Sequence, residues 1–350
     1  MPVAVVIPLF NHERFIGDAL RSVLAQTSPP ERVIVIDDGS TDHSLEAARS
    51  VGDSRVTLLS QQNAGAHQTL NRAIGLAADS DYIGILNSDD SYEPGRIEGC
   101  LRCLELHPAA AVVATRLKMI DENGAVLAPE DARARWLGSV WQARPASLPG
   151  WLGMANFTKT TSNLFGRADY FRAHPFRPYR YVHDYYFAVA AALEDRLVVL
   201  DEELLRYRVH GSNTIKSGPA EALPREVLRM NVDLLRGFAP ALGERPEVRA
   251  RLADYFRALS LNYADFRIEP FLHLVARQFS ALSEAEAASL CESLDAALFP
   301  ELLAGKSKAL RERLASAGYE SALEELAALR KACAGSAWFR LGKKLGFIRD

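Results

Sequence analysis

Short β-branched runs alternate with stretches of helical period through the first third of the chain. Val3–Ile7 is a continuous apolar run, as expected of a strand buried on both faces. Phe15, Ile16, Ala19, Leu20, Val23 and Leu24 then recur at helical spacing, with Asn11 placed to cap that helix and Pro29-Pro30 to stop it. Val33–Ile36 reads as a second strand and Val56–Leu59 as a third, with a polar helix through Ala47 and Ala48 between them. A helix over roughly 66–78, a strand at Tyr82–Leu86, a helix over Pro94–Leu106 and a strand at Ala111–Arg116 continue the alternation. Such alternation with short links predicts a mostly parallel α/β sheet with helices on both faces.

In open sheets of this kind, ligands bind beyond the carboxyl ends of the strands. Three polar clusters fall at three such ends: Pro8–Asn11, Asp37–Ser40 and Asn87–Asp90. Asp89 and Asp90 are adjacent carboxylates, which repel unless a cation or ligand hydroxyls lie between them. Oxygen ligands suit hard cations such as Mg²⁺ or Mn²⁺. Each cluster by itself also reads as a turn, since Asn, Asp, Ser and Gly favour turns.

Further along, Asp121-Glu122-Asn123-Gly124 reads as a hairpin turn between 117–120 and 125–127. The stretch 129–153 is rich in Trp, Pro and Arg and reads as a long irregular loop, with Trp136, Trp141 and Trp151 either stacking on a sugar or packing a lid. A helix is expected around 184–193 and strands near 197–200 and 204–209. After about residue 216 Leu, Ala, Glu and Arg dominate with helical periodicity, and Ser283–Glu286 forms a capping box. This predicts a first domain over 1–216 and an all-helical appendage over 217–350. The appendage packs on the first domain, pairs with another copy of the chain, or lies on an anionic membrane through the basic amphipathic tail 338–350.

Composition narrows the classes. The 350 residues are 48% hydrophobic and 24% charged, with net charge −3. A sizeable core is expected, and nothing points to nucleic acid as a partner. Of the 4 cysteines, Cys100 and Cys103 form a C-x-x-C that no second pair or His cluster completes, so they read as one face of a helix; Cys291 and Cys333 are remote. Few cysteines, no signal-peptide pattern at the start and no apolar run of about 18 residues lead to an expected cytoplasmic location, at most peripheral to a membrane.

Four segments occur in order: VVIPLFN at Val5–Asn11, VIDDGSTD at Val35–Asp42, QQNAGAHQTLN at Gln61–Asn71 and LNSDD at Leu86–Asp90. Together they resemble the family-2 glycosyltransferases of the GT-A fold, including those of bacterial cell-surface polysaccharide assembly, over residues 1 to about 216. The resemblance implies an inverting transfer from a nucleotide-diphosphate sugar, in the commonest case a UDP-sugar, to a hydroxyl of a saccharide or lipid-linked acceptor. It implies that Pro8, Phe10 and Asn11 flank the base, that Asp38 hydrogen-bonds it, and that Asn63, Gly65, His67 and Arg72 run past the ribose and diphosphate. Ser88 and Asp89 would contact the donor. Asp90 would ligate a divalent metal directly, with Asp89 and His210 beside it. Asp184, in Tyr181–Tyr186, would be the catalytic base, and Thr160–Asn163 would lie on the acceptor side. The chain departs from the pattern at Leu70, where many relatives carry Arg, at Asn87, where many carry Asp, and at His183, where many carry Glu. Leu70 and Asn87 support the rival reading, a non-catalytic sugar-nucleotide-binding or scaffold protein on the same fold. The loop after the first strand, Pro8–Asn11, has no glycine, which argues against nucleotidyl transferases and dehydrogenases.

Overall fold

The computed structural model describes residues 1–214, 219, 222–238 and 245–262. These form two compact units. The first joins Met1–Pro129 to Thr158–Pro219, and the second joins Glu130–Phe157 to the described helices after Ala220. The capping box at 283–286, Cys291, Cys333 and the tail 338–350 lie outside the described residues.

The first unit is built on one eight-stranded sheet in the order β3-β2-β1-β4-β7-β6-β8-β5. Strands β1 (Val3–Leu9), β2 (Arg32–Asp37), β3 (Val56–Ser60) and β4 (Tyr82–Ile85) are mutually parallel, joined through helices α1 (Ile16–Leu24), α2 (Ser44–Arg49) and α3 (Ala66–Leu76). Every residue of β1 except Pro8 is buried, as its unbroken apolar run requires. Two antiparallel strands, β5 (Ser91–Tyr92) and β7 (Phe165–Arg167), interrupt the pattern. Between them run β6 (Val112–Ile120) and β8 (Leu197–Arg208), parallel to each other. The two strands expected near 197–200 and 204–209 are one long strand, β8, whose register against β6 slips around Arg116. The 121–124 turn is a hairpin: Asp121 Oδ1 accepts the amides of Asn123 and Ala125, and Ile120 bridges Val126. Helix α4 (Arg96–Leu106) turns Cys100 and Cys103 inward, as the helix-face reading expects, and burial pushes the Cys100 thiol up to about 11. A thiol so raised is unreactive at neutral pH. After β7, a short helix α7 (Ala168–Ala173) leads to α8 (His183–Leu193), which carries Asp184 in its first turn.

The second unit corrects the expected irregular loop. Residues 132–142 and 148–154 are helices α5 (Ala132–Gln142) and α6 (Leu148–Met154). Asp131 caps α5 by accepting the amide of Arg133, and Ser147 caps α6 by accepting that of Gly150. Trp151 is fully buried, stacked on Phe157 at 4.0 Å and edge-on to Trp141 at 4.8 Å. It therefore packs a core and offers no face to a sugar. Helices α9 (Ala222–Phe238) and α10 (Pro246–Asn262) are the other described elements of the unit, and Tyr255 donates from α10 to Asn231 on α9 at 2.9 Å. Gly153 lets α6 approach α10: a Cβ there would collide with the carbonyl oxygen of Tyr255. Gly153→Ala is expected to cost about 1–3 kcal/mol by forcing the helices apart, read as a lowered melting temperature of the full chain. Among the described residues no helix is long and apolar enough to cross a membrane.

Candidate active site at the carboxyl ends of the strands

The ends of β1 and β2 are tied together. Asn11 sits in the left-handed region (φ 52°), its amide donating to Ser40 Oγ and its side-chain oxygen accepting the Thr41 amide at 2.8 Å. It does not cap α1, which starts after Phe15 without a side-chain cap. Asn11 instead links the loop after β1 to the loop after β2. That second loop is fixed to a third. Asp38 Oδ1 accepts from Gln61 and from the amide of Ala64, and its Oδ2 accepts the amide of Gly65 at 2.9 Å. Only the remaining lone pair of Oδ2 is left for a ligand, so the carboxylate mainly shapes the 61–65 segment. Gly39 has φ 77° and a Cβ there would meet the Asn63 amide at 2.9 Å, which makes glycine necessary where the loops meet. Arg72 reaches back to Gln61 at 2.6 Å, and Leu70 is fully buried. His67 is half-buried beside Gly65, Pro8 is half-buried, and Phe10 is 44% exposed at the rim.

The acidic loop follows β4, and its residues divide sharply. Asn87 is held by the turn at 160–163: its amide donates to Ser162 Oγ, its side-chain NH₂ donates to Thr160 Oγ1, and its side-chain oxygen accepts from Thr161 at 2.7 Å. An aspartate could not make the bond to Thr160 as a donor, so this turn suits Asn. Thr160, Thr161, Ser162 and Asn163, expected to face an acceptor, are instead buried bracing for the acidic loop. Asn163 reaches Thr115 on β6, and Arg96, fully buried, bonds Thr115 Oγ1 at 2.6 Å and the Ser162 carbonyl at 3.0 Å.

Asp90, expected as the direct metal ligand, is 1% exposed with both oxygens engaged. Oδ2 accepts from Ser162 at 2.5 Å and Thr160 at 3.3 Å, while Oδ1 accepts the Arg208 amide at 2.9 Å. Burial and then the neighbouring Asp89 charge hold its carboxyl well above the usual range. Arg208 lies under the loop, donating to the Asp89 carbonyl at 2.8 Å with its guanidinium over Phe15. Asp90 thus anchors the loop from below.

Asp89 is buried as well, at 8% exposed, but its carboxylate faces an imidazole. His210 Nε2 meets its Oδ2 at 3.0 Å, and the His210 ring is held by Ser212 at Nδ1, 2.8 Å. His12 stands opposite, its Nδ1 on Ser88 Oγ at 2.8 Å and its ring edge-on to His210 at 5.5 Å. One potential ligand atom each from His12, Asp89 and His210 lie within 4.8 Å of one another. Burial alone raises Asp89, but the His210 hydrogen bond and the two imidazoles outweigh it, leaving the carboxyl below its usual value. Burial, the largest influence, likewise pushes His12 down, toward the neutral form that binds metals. One carboxylate with two imidazoles is a donor set that fits a divalent cation; the adjacent carboxylate pair Asp89-Asp90 does not supply the oxygens for one, since both Asp90 oxygens are engaged. His12 escaped the sequence reading because it lies one residue past the Pro8–Asn11 motif. A cleft of about 380 Å³ opens beside these residues, lined by Asn11, His12, Arg14, Glu122, His210 and Ser212 among others.

Asp184 belongs to the same neighbourhood. Burial raises the Tyr207 hydroxyl on β8, and the charges of Asp90, Asp89 and Asp184 all raise it further, so each of the three carboxylates acts on this one side chain. Asp184 is 6% exposed and its Oδ1 accepts the Tyr185 amide at 2.7 Å. Lys159, in the left-handed region (φ 65°), also interacts with Asp184; burial pushes its ammonium down to about 8.

Comparison with known proteins bears on the family and the fold. The family described as glycosyl transferase family 2 matches residues 4–180. An uncharacterized glycosyltransferase of Haemophilus influenzae is 26% identical over 219 residues, 61% of this chain and 67% of that protein. A chondroitin synthase of Escherichia coli is 36% identical over 124 residues, 35% of this chain but 18% of that protein. Among solved structures, S. aureus TarS 1-349 in complex with UDP-GlcNAc superimposes with a TM-score of 0.51 at 20% identity, covering 84% of this chain and 91% of that one. The chain belongs to glycosyl transferase family 2 and has the GT-A fold.

Proposed function

We propose that the chain transfers a sugar from a nucleotide-diphosphate donor to a hydroxyl of a saccharide or lipid-linked acceptor, with inversion at the anomeric carbon. The observation that carries this reading is the pairing of Asp89, just past β4, with His210, just past β8, where open sheets of this kind bind ligands. Asp89 and His210 would hold a divalent cation, which, when bound, offsets charge on the departing nucleoside diphosphate. Asp184 accepts the acceptor hydroxyl proton as the oxygen attacks. Phe10 offers an exposed ring to the base, with the 61–65 segment, fixed by Asp38, along the ribose. The TarS structure holds UDP-GlcNAc, which supports a UDP-sugar as donor here.

The test is a panel of nucleotide sugars with Mn²⁺ or Mg²⁺, read as release of nucleoside diphosphate and as sugar transfer. Metal-dependent release from one donor is expected. Binding of donors without release or transfer under any metal would instead favour the non-catalytic reading.

Lys159 supplies a separate check. Its ammonium favours ionised Asp184, so Lys159→Met is expected to move the acid limb of the pH–rate profile to higher pH. Lys159→Arg keeps the charge and should leave the limb in place. An unmoved limb in Lys159→Met would remove Asp184 from the role of base or Lys159 from its influence on it.

A further inference from the structure

The carboxylate and imidazole of Asp89 and His210 have a companion in His12. Three features of its setting are those of a ligand. Its ring is oriented by a hydroxyl, Ser88 Oγ on Nδ1 at 2.8 Å, as the His210 ring is oriented by Ser212 at the same distance. Outer hydrogen bonds of this kind fix which nitrogen of a histidine faces a metal; in both rings the hydroxyl takes Nδ1, and the Nε2 of His210 is turned to Asp89 Oδ2 at 3.0 Å. The backbone beneath it is fixed too, the His12 amide donating to the buried Ser44 Oγ at 2.7 Å. Finally, its ligand atom shares a sphere with those of Asp89 and His210, all within 4.8 Å.

We propose that His12 is a third protein ligand, making this a two-imidazole, one-carboxylate centre that takes transition-metal cations in preference to Mg²⁺. Mg²⁺ demands oxygen ligands at near-ideal octahedral positions, whereas imidazole nitrogen suits the later first-row ions. A carboxylate and one imidazole would leave the choice of metal largely to the oxygens of the diphosphate. A second imidazole biases it before any donor arrives. Three ligands on one side still leave coordination positions open for diphosphate oxygens. The inference rests on the reading that Asp89 and His210 hold a cation, and it concerns which cation and through which residue.

The probe is the metal alone, on the full chain without nucleotide. Co²⁺ binding is followed by its visible absorption, and Mn²⁺ and Mg²⁺ by competition against it. The wild-type chain is expected to bind Co²⁺ and Mn²⁺ more tightly than Mg²⁺. His12→Gln should weaken Co²⁺ binding by about 10–100-fold, alter the visible bands, and leave Mg²⁺ affinity nearly unchanged. Ser88→Ala, which keeps the ligand but frees its ring, should weaken Co²⁺ binding in the same direction and serves if His12→Gln lowers the melting temperature. Unchanged Co²⁺ bands and an unchanged Co²⁺-to-Mg²⁺ ratio in His12→Gln would overturn this inference alone. A wild-type chain that binds none of the three ions would overturn it together with the cation reading.

Discussion

Asp89→Asn is expected to lower sugar transfer by about 10³-fold or more, while Asp90→Asn keeps a substantial fraction of it. The two residues are neighbours in sequence and opposites in setting. Asp89 points its Oδ2 at His210 in a carboxylate–imidazole pair. A neutral amide there loses the one negative charge of the donor set, and with it the cation that would balance a departing diphosphate. Asp90 points down. Its bonds run to two hydroxyls and one amide, and asparagine can replace them: its oxygen accepts from the Arg208 amide while its NH₂ donates to Ser162 and Thr160. The sign of the stability effect follows from its raised carboxyl. A carboxyl that titrates higher in the folded than in the unfolded chain costs stability as pH rises from its unfolded value near 3.8 through its folded one. Asn removes that cost, so Asp90→Asn should melt no lower than wild type at pH 7. Transfer assays and melting curves on the two variants check both halves. Equal loss of activity in both would mean that Asp90 also reaches the substrate.

Asp184→Asn is expected to cost about 10²–10⁴-fold in transfer with donor binding intact. It lies in the first turn of α8, near enough to act electrostatically on Tyr207 and Lys159. A group whose part is to take the acceptor's proton can be lost with the donor still held. The separation is measurable: kcat falls while the concentration of donor that half-stabilises the protein against heat stays within about twofold of wild type. A parallel loss of donor binding would recast Asp184 as part of the donor site.

The three polar strand ends are legible in the sequence because β1, β2 and β4 are buried on both faces and so appear as unbroken apolar runs that stop abruptly at polar residues. The small strands β5 and β7 are not legible: two and three residues carry no periodicity, and their pairing is set by distant partners. Helices α5 and α6 hide behind Arg, Trp, Pro and Gly, which read as loop, although their caps Asp131 and Ser147 were present as signals. At the site, residue types pointed to the loop after β4 but not to the direction of each side chain. Asp89 and Asp90 are indistinguishable until the 160–163 turn and the Arg208 amide, more than 65 residues away, claim one of them. His12 could be found only by seeing which residue after β1 faces the end of β4.

The most direct measurement is the melting temperature of the full chain with UDP, with and without Mn²⁺, in wild type and Asp89→Asn. A ligand that binds the folded state alone raises it in proportion to occupancy. UDP should stabilise the wild type strongly only when Mn²⁺ is present, and the Mn²⁺-dependent part should vanish in Asp89→Asn. Equal Mn²⁺-dependent stabilisation of the two proteins would contradict a donor site built on Asp89.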